Sequence, residues 1–160
     1  MITLGVGDFG ATNKPSGVVK TFALGSCVSI IFLYPRTMAV GMVHVALPDS
    51  SLSRAKAKKR PGYFADTGIP ALINEMKKKG YSGNGREMIV KLAGGAKIMD
   101  LNNTFNIGKR NVLAIKKLLW DHRMGAVVED VGGNYSRTVA VHVDTGKVTL
   151  SSPGRKNWEI

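Results

Sequence analysis

The chain has 160 residues, of which 44% are hydrophobic and 21% charged, as expected for one globular domain with a substantial core. It carries 23 Lys and Arg against 11 Asp and Glu, and its formal net charge of +12 is compatible either with attraction to polyanions or an acidic protein surface or with a merely solvated, soluble surface. The single cysteine excludes an internal disulfide, and no apolar run reaches the roughly 20 residues of a membrane span. Because no secretory signal opens the chain, residues 1–160 are expected to form one cytoplasmic domain without membrane insertion.

The first 48 residues predict mainly extended structure. Short apolar runs at residues 2–7 and 18–24 predict two strands, and the loop between them is rich in glycine and other turn-forming residues. Residues 27–44 then predict a β-hairpin whose two faces are both apolar. A strand pair that is apolar on both faces is expected at the centre of a covered sheet.

This hairpin holds the only cysteine, Cys27, and one of the three histidines, His44. If Pro35 and Arg36 form a two-residue turn, Cys27 lies directly opposite His44. Directly opposed side chains share a face, with Cβ atoms roughly 4.5–5.5 Å apart. A thiol and an imidazole at that separation can act as a nucleophile and its base. A longer loop with the same centre preserves the pairing, whereas a bulge breaks it.

The rest of the chain predicts two amphipathic helices between further strands. The first helix is expected to be capped by Thr67 and ended by Gly80, with apolar residues at helical spacing: Ile69, Leu72, Ile73 and Met76. The second is predicted over residues 107–122, with Asn106 as its cap. Strands are predicted at residues 88–93, 126–131, 138–143 and 147–151, and the basic segment 54–60 is predicted to be a mobile loop. This order predicts an α/β fold built in layers.

A structural interpretation exists for each candidate site residue. A lone cysteine is most often a small buried hydrophobe, and His44 and Thr21 are compatible with a core histidine and an ordinary strand residue. Two features favour chemistry at Cys27: Gly25 and Ser26 precede it at the mouth of a strand, and its predicted partner is a histidine. His122 and His142 receive no role. The scattered histidines provide no metal-ligand set, and nucleotide-binding glycine motifs are absent, so we expect neither a metal nor a cofactor.

Six sequence blocks resemble one known family. They span roughly residues 5–148 and occur in the family's order: T-F-A-L-G-S-C-V, H-V-A-L-P-D-S, P-G-Y-F-A-D-T, K-L-A-G-G-A, N-I-G-K-R-N and E-D-V-G-G-N-Y-S-R. Together they are similar to the chemoreceptor glutamine deamidases of bacterial chemotaxis, the CheD family. The resemblance implies an α/β/α sandwich with mixed, largely antiparallel sheets and two main helices, similar to the deamidase domain of cytotoxic necrotizing factor toxins.

The resemblance also implies an activity, which is hydrolysis of glutamine side chains to glutamate on methyl-accepting chemotaxis receptors. The family's catalytic residues match Cys27, His44 and Thr21. In the mechanism that follows, Cys27 forms a thioester, in one version from a standing thiolate–imidazolium pair with His44. Thr21 orients the imidazole, and backbone amides near Gly25 and Ser26 hold the oxyanion.

Two other functions compete with catalysis. Family members also bind the CheC phosphatase, so a regulatory binding module for CheC or receptors is the first alternative. A small basic nucleic-acid-binding protein is the second, and the lack of stacking aromatic residues disfavours it. The intact Thr21, Cys27 and His44 favour an enzyme. The basic segment 54–60 is expected to steer an acidic receptor helix towards the site.

Overall fold

In a computed structural model, which describes residues 1–98 and 106–160, the strands form two five-stranded sheets. The first sheet contains, in spatial order, β1 (Ile2–Leu4), β3 (Val18–Leu24), β8 (Arg137–His142), β9 (Val148–Ser151) and β10 (Trp158–Glu159). The second contains β2 (Phe9–Thr12), β5 (Ala39–Val45), β4 (Val28–Tyr34), β6 (Ile89–Gly94) and β7 (Ala126–Val131). The β1–β3 and β6–β7 pairs are parallel and the other pairs are antiparallel, which gives mixed, largely antiparallel sheets.

Two long helices cover one face of the second sheet. These are α2 (Ala65–Lys78) and α3 (Ile107–Asp121), and a short helix α1 (Arg54–Lys59) precedes them. The predicted apolar stripe of α2 is buried at Ile69, Leu72, Ile73 and Met76, and α3 buries Ile115 and Leu119 in the same cluster. In the part of the chain that the structure describes, no helix is long and apolar enough to cross a membrane.

The chain has one hydrophobic core between the long helices and the second sheet, and another between the two sheets. The core between the sheets joins Ile31, Leu33, Val40 and Met42 of the second sheet to apolar residues of the first, among them Val19 and Val139. The α/β class with two main helices is therefore confirmed. The layers follow the order helices, sheet, sheet, because both long helices use one face of the second sheet and the first sheet covers the other. β4 and β5 are buried along their whole length, as predicted for a central pair.

The hairpin turn is longer than predicted. Residues Pro35–Thr37 form a 3₁₀ turn that ends at Met38, whose backbone is left-handed (φ 59°). As a result Tyr34 pairs with Ala39 instead of Thr37, and Ser29, not Cys27, lies opposite His44. The predicted pairing was therefore wrong by two residues. Because side chains alternate with a period of two along a strand, a slip of two residues keeps every side chain on its predicted face.

The basic segment 54–60 is not the loop that its composition suggested. Residues 54–59 form α1, whose first turn is capped because the Ser53 side chain accepts a hydrogen bond from the Lys56 amide. The predicted cap of α2 was also wrong. That helix begins at Ala65, and the Thr67 hydroxyl instead donates to the carbonyl of Pro61.

Candidate active site

The two sheets meet at a buried hydrogen bond between Thr21 and His44. Thr21 lies on β3 of the first sheet and is fully buried, and His44 lies on β5 of the second sheet and is 2% exposed. The Thr21 hydroxyl oxygen is 2.7 Å from Nδ1 of His44 and 2.8 Å from the carbonyl oxygen of Leu4. This hydrogen bond therefore connects the two sheets across the core that lies between them.

The hydrogen-bond pattern assigns the tautomer of His44. The Thr21 hydroxyl has a single hydrogen, which it donates to the Leu4 carbonyl, so its oxygen accepts a hydrogen bond from Nδ1–H. A neutral imidazole with hydrogen on Nδ1 has a free lone pair on Nε2. Nε2 is buried and has no hydrogen-bond partner among the described residues. His44 therefore presents a proton acceptor that the surrounding side chains do not occupy.

Cys27 immediately precedes β4, where the chain crosses from the first sheet to the second. It is half-buried and packs against the inter-sheet core, the same core that contains the His44 side chain. Two residues further on, Ser29 lies directly opposite His44. Cys27 is thus a diagonal neighbour of His44 on the same face of the sheet. Diagonal neighbours are roughly 7–8 Å apart, a distance that an aromatic side chain such as histidine can span.

Burial keeps both candidate reacting groups neutral. It lowers the pKa of His44 to about 4, and the nearby carboxylate of Asp8 opposes that shift. Burial also raises the pKa of the Cys27 thiol, and a hydrogen bond from the residue's own backbone amide lowers that pKa by a smaller amount. The thiolate–imidazolium pair expected from the sequence is therefore disfavoured at rest, because desolvation outweighs the high net charge of the chain.

The segment of Gly25, Ser26 and Cys27 is fixed through its carbonyl oxygens. These accept hydrogen bonds from the Ala96 amide at 2.8 Å, the Asn111 side chain at 3.0 Å and the Gly95 amide at 2.8 Å, respectively. By contrast, the amides of the three residues donate no hydrogen bond to any other described residue. The segment therefore has its acceptors paired and its donors available.

A glycine turn is required beside Cys27. Gly94 and Gly95 both have positive φ angles, 118° and 63°, and a Cβ on Gly94 would overlap the carbonyl oxygen of Cys27. Glycine is also required at position 108, at the start of α3, because a Cβ there would overlap the carbonyl oxygen of Gly95. The K-L-A-G-G-A and N-I-G-K-R-N blocks thus bring β6 and α3 into contact with the cysteine segment.

Asn111 is the functional candidate that sequence reasoning missed. It is fully buried in α3, and its side-chain nitrogen donates to the carbonyl oxygens of Ser26 and Ala46, both at 3.0 Å. The available signal was a polar residue at helical spacing from apolar ones, since Asn111 lies one turn before Ile115 and two turns before Leu119. Its two partners were not predictable from spacing, because Ser26 lies 85 residues earlier in the chain.

Comparison with known proteins supports the resemblance seen in the motifs of this chain. The family model for CheD chemotactic sensory transduction matches residues 46–152. A probable chemoreceptor glutamine deamidase CheD of Syntrophotalea carbinolica is 55% identical over 159 residues, covering 99% of this chain and 98% of the relative. A probable chemoreceptor glutamine deamidase CheD 1 of Syntrophus aciditrophicus is 40% identical over 153 residues, covering 96% and 94%. The chain belongs to the CheD family.

Proposed function

We propose that this chain is a cytoplasmic, cysteine-dependent deamidase that hydrolyses glutamine side chains of methyl-accepting chemotaxis receptors to glutamate. The names of its relatives support the substrate class. The observation that carries the mechanism is the Thr21–His44 hydrogen bond, which directs the free lone pair of Nε2 away from Thr21, with Cys27 on the same face. No cofactor takes part in this reaction.

The reaction begins with a neutral thiol and a neutral imidazole. Nε2 of His44 accepts the thiol proton as the sulfur of Cys27 attacks the glutamine carboxamide carbon. The oxyanion that develops accepts hydrogen bonds from the amides of Ser26 and Cys27, which donate to no other described residue, with Gly25 contributing to the same site. Meanwhile Thr21 stabilises the imidazolium, because its oxygen accepts the Nδ1–H hydrogen bond.

Collapse of the tetrahedral intermediate breaks the carbon–nitrogen bond. His44 returns the proton to the departing nitrogen, which leaves as ammonia and produces a thioester on Cys27. A water molecule then gives its proton to Nε2 and attacks the thioester carbon. The carbon–sulfur bond then breaks and the sulfur takes the proton back from Nε2. The products are the glutamate side chain and the free thiol, so the cycle consumes one water and releases one ammonia.

Helix α1 supports attraction of an acidic receptor helix. Arg54, Lys58 and Lys59 are exposed on it, whereas Arg60, just after it, is paired with Asp8 at 2.6 Å. Because the backbone amide of His44 donates to the carbonyl oxygen of Asp8 at 3.0 Å, this ion pair lies beside the strand that carries the imidazole. Replacing Lys58 and Lys59 by Gln is expected to weaken the salt dependence of receptor binding, and an unchanged salt dependence would exclude this role.

The proposed activity is tested with a receptor cytoplasmic fragment. Ammonia release and the mass change of Gln to Glu are followed together, so that hydrolysis is assigned to particular side chains. Cys27→Ala is expected to abolish conversion, and His44→Ala to reduce it at least about a thousandfold. His142→Ala is the matched control, since His142 contacts Thr149 in the first sheet and has no place in the mechanism.

The outcomes separate the competing functions. Conversion that persists in the Cys27→Ala protein would refute the mechanism. A wild-type protein that binds the receptor fragment or a CheC phosphatase without converting any glutamine would instead identify a regulatory binding module.

A further inference from the structure

The cysteine segment has an asymmetry that the proposed chemistry needs. Its three consecutive carbonyl oxygens all accept hydrogen bonds, whereas its three amides donate none to any other described residue. Two of the three donors that hold the carbonyls are backbone amides, of Ala96 and Gly95, which no substitution other than proline removes. The third is the side chain of Asn111, so this one residue is where side-chain identity controls the orientation of the segment.

Peptide geometry relates the Asn111 hydrogen bond to the nucleophile. The carbonyl of Ser26 and the amide of Cys27 belong to one planar trans peptide, in which C=O and N–H point in opposite directions. Since Asn111 holds the Ser26 oxygen towards α3, the Cys27 N–H points away from α3. That same N–H stabilises the Cys27 sulfur, which places it on the side of the nucleophile.

The second hydrogen of the Asn111 amide fixes the base strand. It is donated to the carbonyl oxygen of Ala46, two residues after His44 and just beyond the end of β5. One planar amide group therefore spans the cysteine segment and the strand that carries the imidazole. The helix that bears it is itself seated firmly, because Gly108 packs against Gly95 and Ile115 is fully buried.

The amide oxygen of Asn111 is buried and has no hydrogen-bond partner among the described residues. A buried polar atom without a partner lowers the stability of the fold. The contribution of Asn111 therefore lies in the two hydrogen bonds that its side chain donates, and not in complete pairing of its amide group. Leucine has nearly the same shape and no donor, and serine has a single donor in a smaller volume.

We propose that Asn111 is a positioning residue that orients the Cys27 amide of the oxyanion site and sets the separation of Cys27 from His44. This inference rests on the proposed deamidase function, because the oxyanion belongs to that reaction. It assigns to Asn111 an effect on the transition state and on the sulfur, through the Ser26–Cys27 peptide, without contact between Asn111 and the substrate.

The test compares Asn111→Leu and Asn111→Ser with Ile115→Ala, which removes buried volume from the same helix without touching the cysteine segment. Each folded variant is assayed for kcat and KM on the receptor fragment, and for the pH dependence of Cys27 alkylation by iodoacetamide. Asn111→Leu is expected to lower kcat by about tenfold to a hundredfold with KM changed less than about twofold. It is also expected to move the alkylation midpoint to higher pH, because the sulfur loses its aligned amide donor. Asn111→Ser, which keeps one donor, is expected to lie between Asn111→Leu and the wild type.

Several results would overturn this role. They are a fall in kcat no larger than in Ile115→Ala, a rise in KM alone, or an alkylation midpoint that does not increase. Loss of the folded state in both Asn111 variants would assign the residue to structure and refute positioning. If the wild type converts no glutamine, the deamidase proposal fails by itself, and the alkylation midpoints still decide whether Asn111 controls the cysteine.

Discussion

Two buried polar clusters of the molecule differ in how completely their hydrogen bonds are paired. In the arginine cluster, Arg137 is 2% exposed and donates to Asp130 at 2.8 Å, to the carbonyls of Gly132 and Gly94 at 2.9 and 3.3 Å, and to the Tyr135 hydroxyl at 3.1 Å. The second oxygen of Asp130 accepts a hydrogen bond from Trp158 at 2.7 Å. Four donated hydrogen bonds hold one guanidinium in place.

The histidine cluster, formed by Thr21, Ser29 and His44, is paired on one side only. Nδ1 of His44 is bound to Thr21, whereas Nε2 and the Ser29 hydroxyl have no partner among the described residues. Both clusters are buried in the same small protein, so burial alone does not explain the difference. A polar network with every group paired gives rigidity, and unpaired atoms beside the proposed nucleophile leave room for the hydrogen bonds of a reaction.

The largest expected effect comes from breaking the paired cluster. Arg137→Met removes a buried charge and leaves Asp130 and two carbonyls without their donor, so we expect the free energy of unfolding to fall by about 3–5 kcal/mol. Urea denaturation measures this loss. Arg155→Met is the control, because Arg155 stacks on the same Tyr135 ring from an exposed position. Equal losses in the two variants would show that ring stacking, and not the paired network, stabilises this region.

The neutral state of His44 predicts the second largest effect, which is a dependence of the free energy of unfolding on pH. Its pKa is about 4 in the folded chain and ordinarily 6.5, so the unfolded chain takes up a proton first as the pH falls. Stability is therefore complete above pH 6.5 and declines between pH 6.5 and 4, by about 3 kcal/mol in total. Urea denaturation across this range should show a shallower pH dependence for His44→Gln than for the wild type. Identical slopes would mean that folding does not lower the pKa of His44.

Thr21→Val tests the paired side of the histidine cluster. Valine preserves shape but gives Nδ1–H no acceptor, so the imidazole loses its fixed tautomer and orientation. We expect kcat for glutamine conversion to fall by about tenfold to a hundredfold, and the loss of the two buried hydrogen bonds of Thr21 to lower the free energy of unfolding by about 1–3 kcal/mol. Thr138→Val, in the neighbouring strand, removes a weaker hydrogen bond from the Ala23 amide and is expected to leave kcat unchanged. The orienting role of Thr21 would be refuted by equal kcat values in both variants.

The smallest effect is expected at the unpaired hydroxyl. Ser29→Ala removes a buried oxygen that has no partner, so the free energy of unfolding should change by less than about 0.5 kcal/mol. Ser50→Ala is a matched substitution of a buried serine that does have a partner, since its hydroxyl donates to Asp66 at 2.7 Å. It should cost about 1–2 kcal/mol in the same urea assay. A larger loss at Ser29 than at Ser50 would show that the Ser29 hydroxyl is paired in solution.

Features with a strong local period could be predicted from the sequence. The buried stripes of α2 and α3 follow from apolar spacing, and the limits of β3 and β7 agree with the predicted strands. The faces of the central hairpin were also correct. Its pairing was not, because proline at the start of the turn begins a 3₁₀ turn and lengthens the connection.

Features that depend on distant contacts could not be predicted in this way. The strand β2 was missed, since its Phe-Gly-Ala-Thr sequence gains its partners only when β5 lies beside it. The sequence identified Cys27, His44 and Thr21 as candidates, but not the hydrogen bonds of Asn111, which require α3 to be docked. Nor did the net charge reveal that burial keeps the thiol and imidazole neutral.

The route of the chain between the sheets has a consequence for how activity appears during folding. The first four strands alternate between the two sheets, and the cysteine segment is the last of these crossings. Thr21 therefore precedes the crossing in one sheet, while His44 follows it in the other. A folding intermediate in which only one sheet has formed has no Thr21–His44 hydrogen bond. In refolding, turnover should return in the same kinetic phase as the near-ultraviolet signal of the packed sheets, and not with the earlier gain of helix and strand.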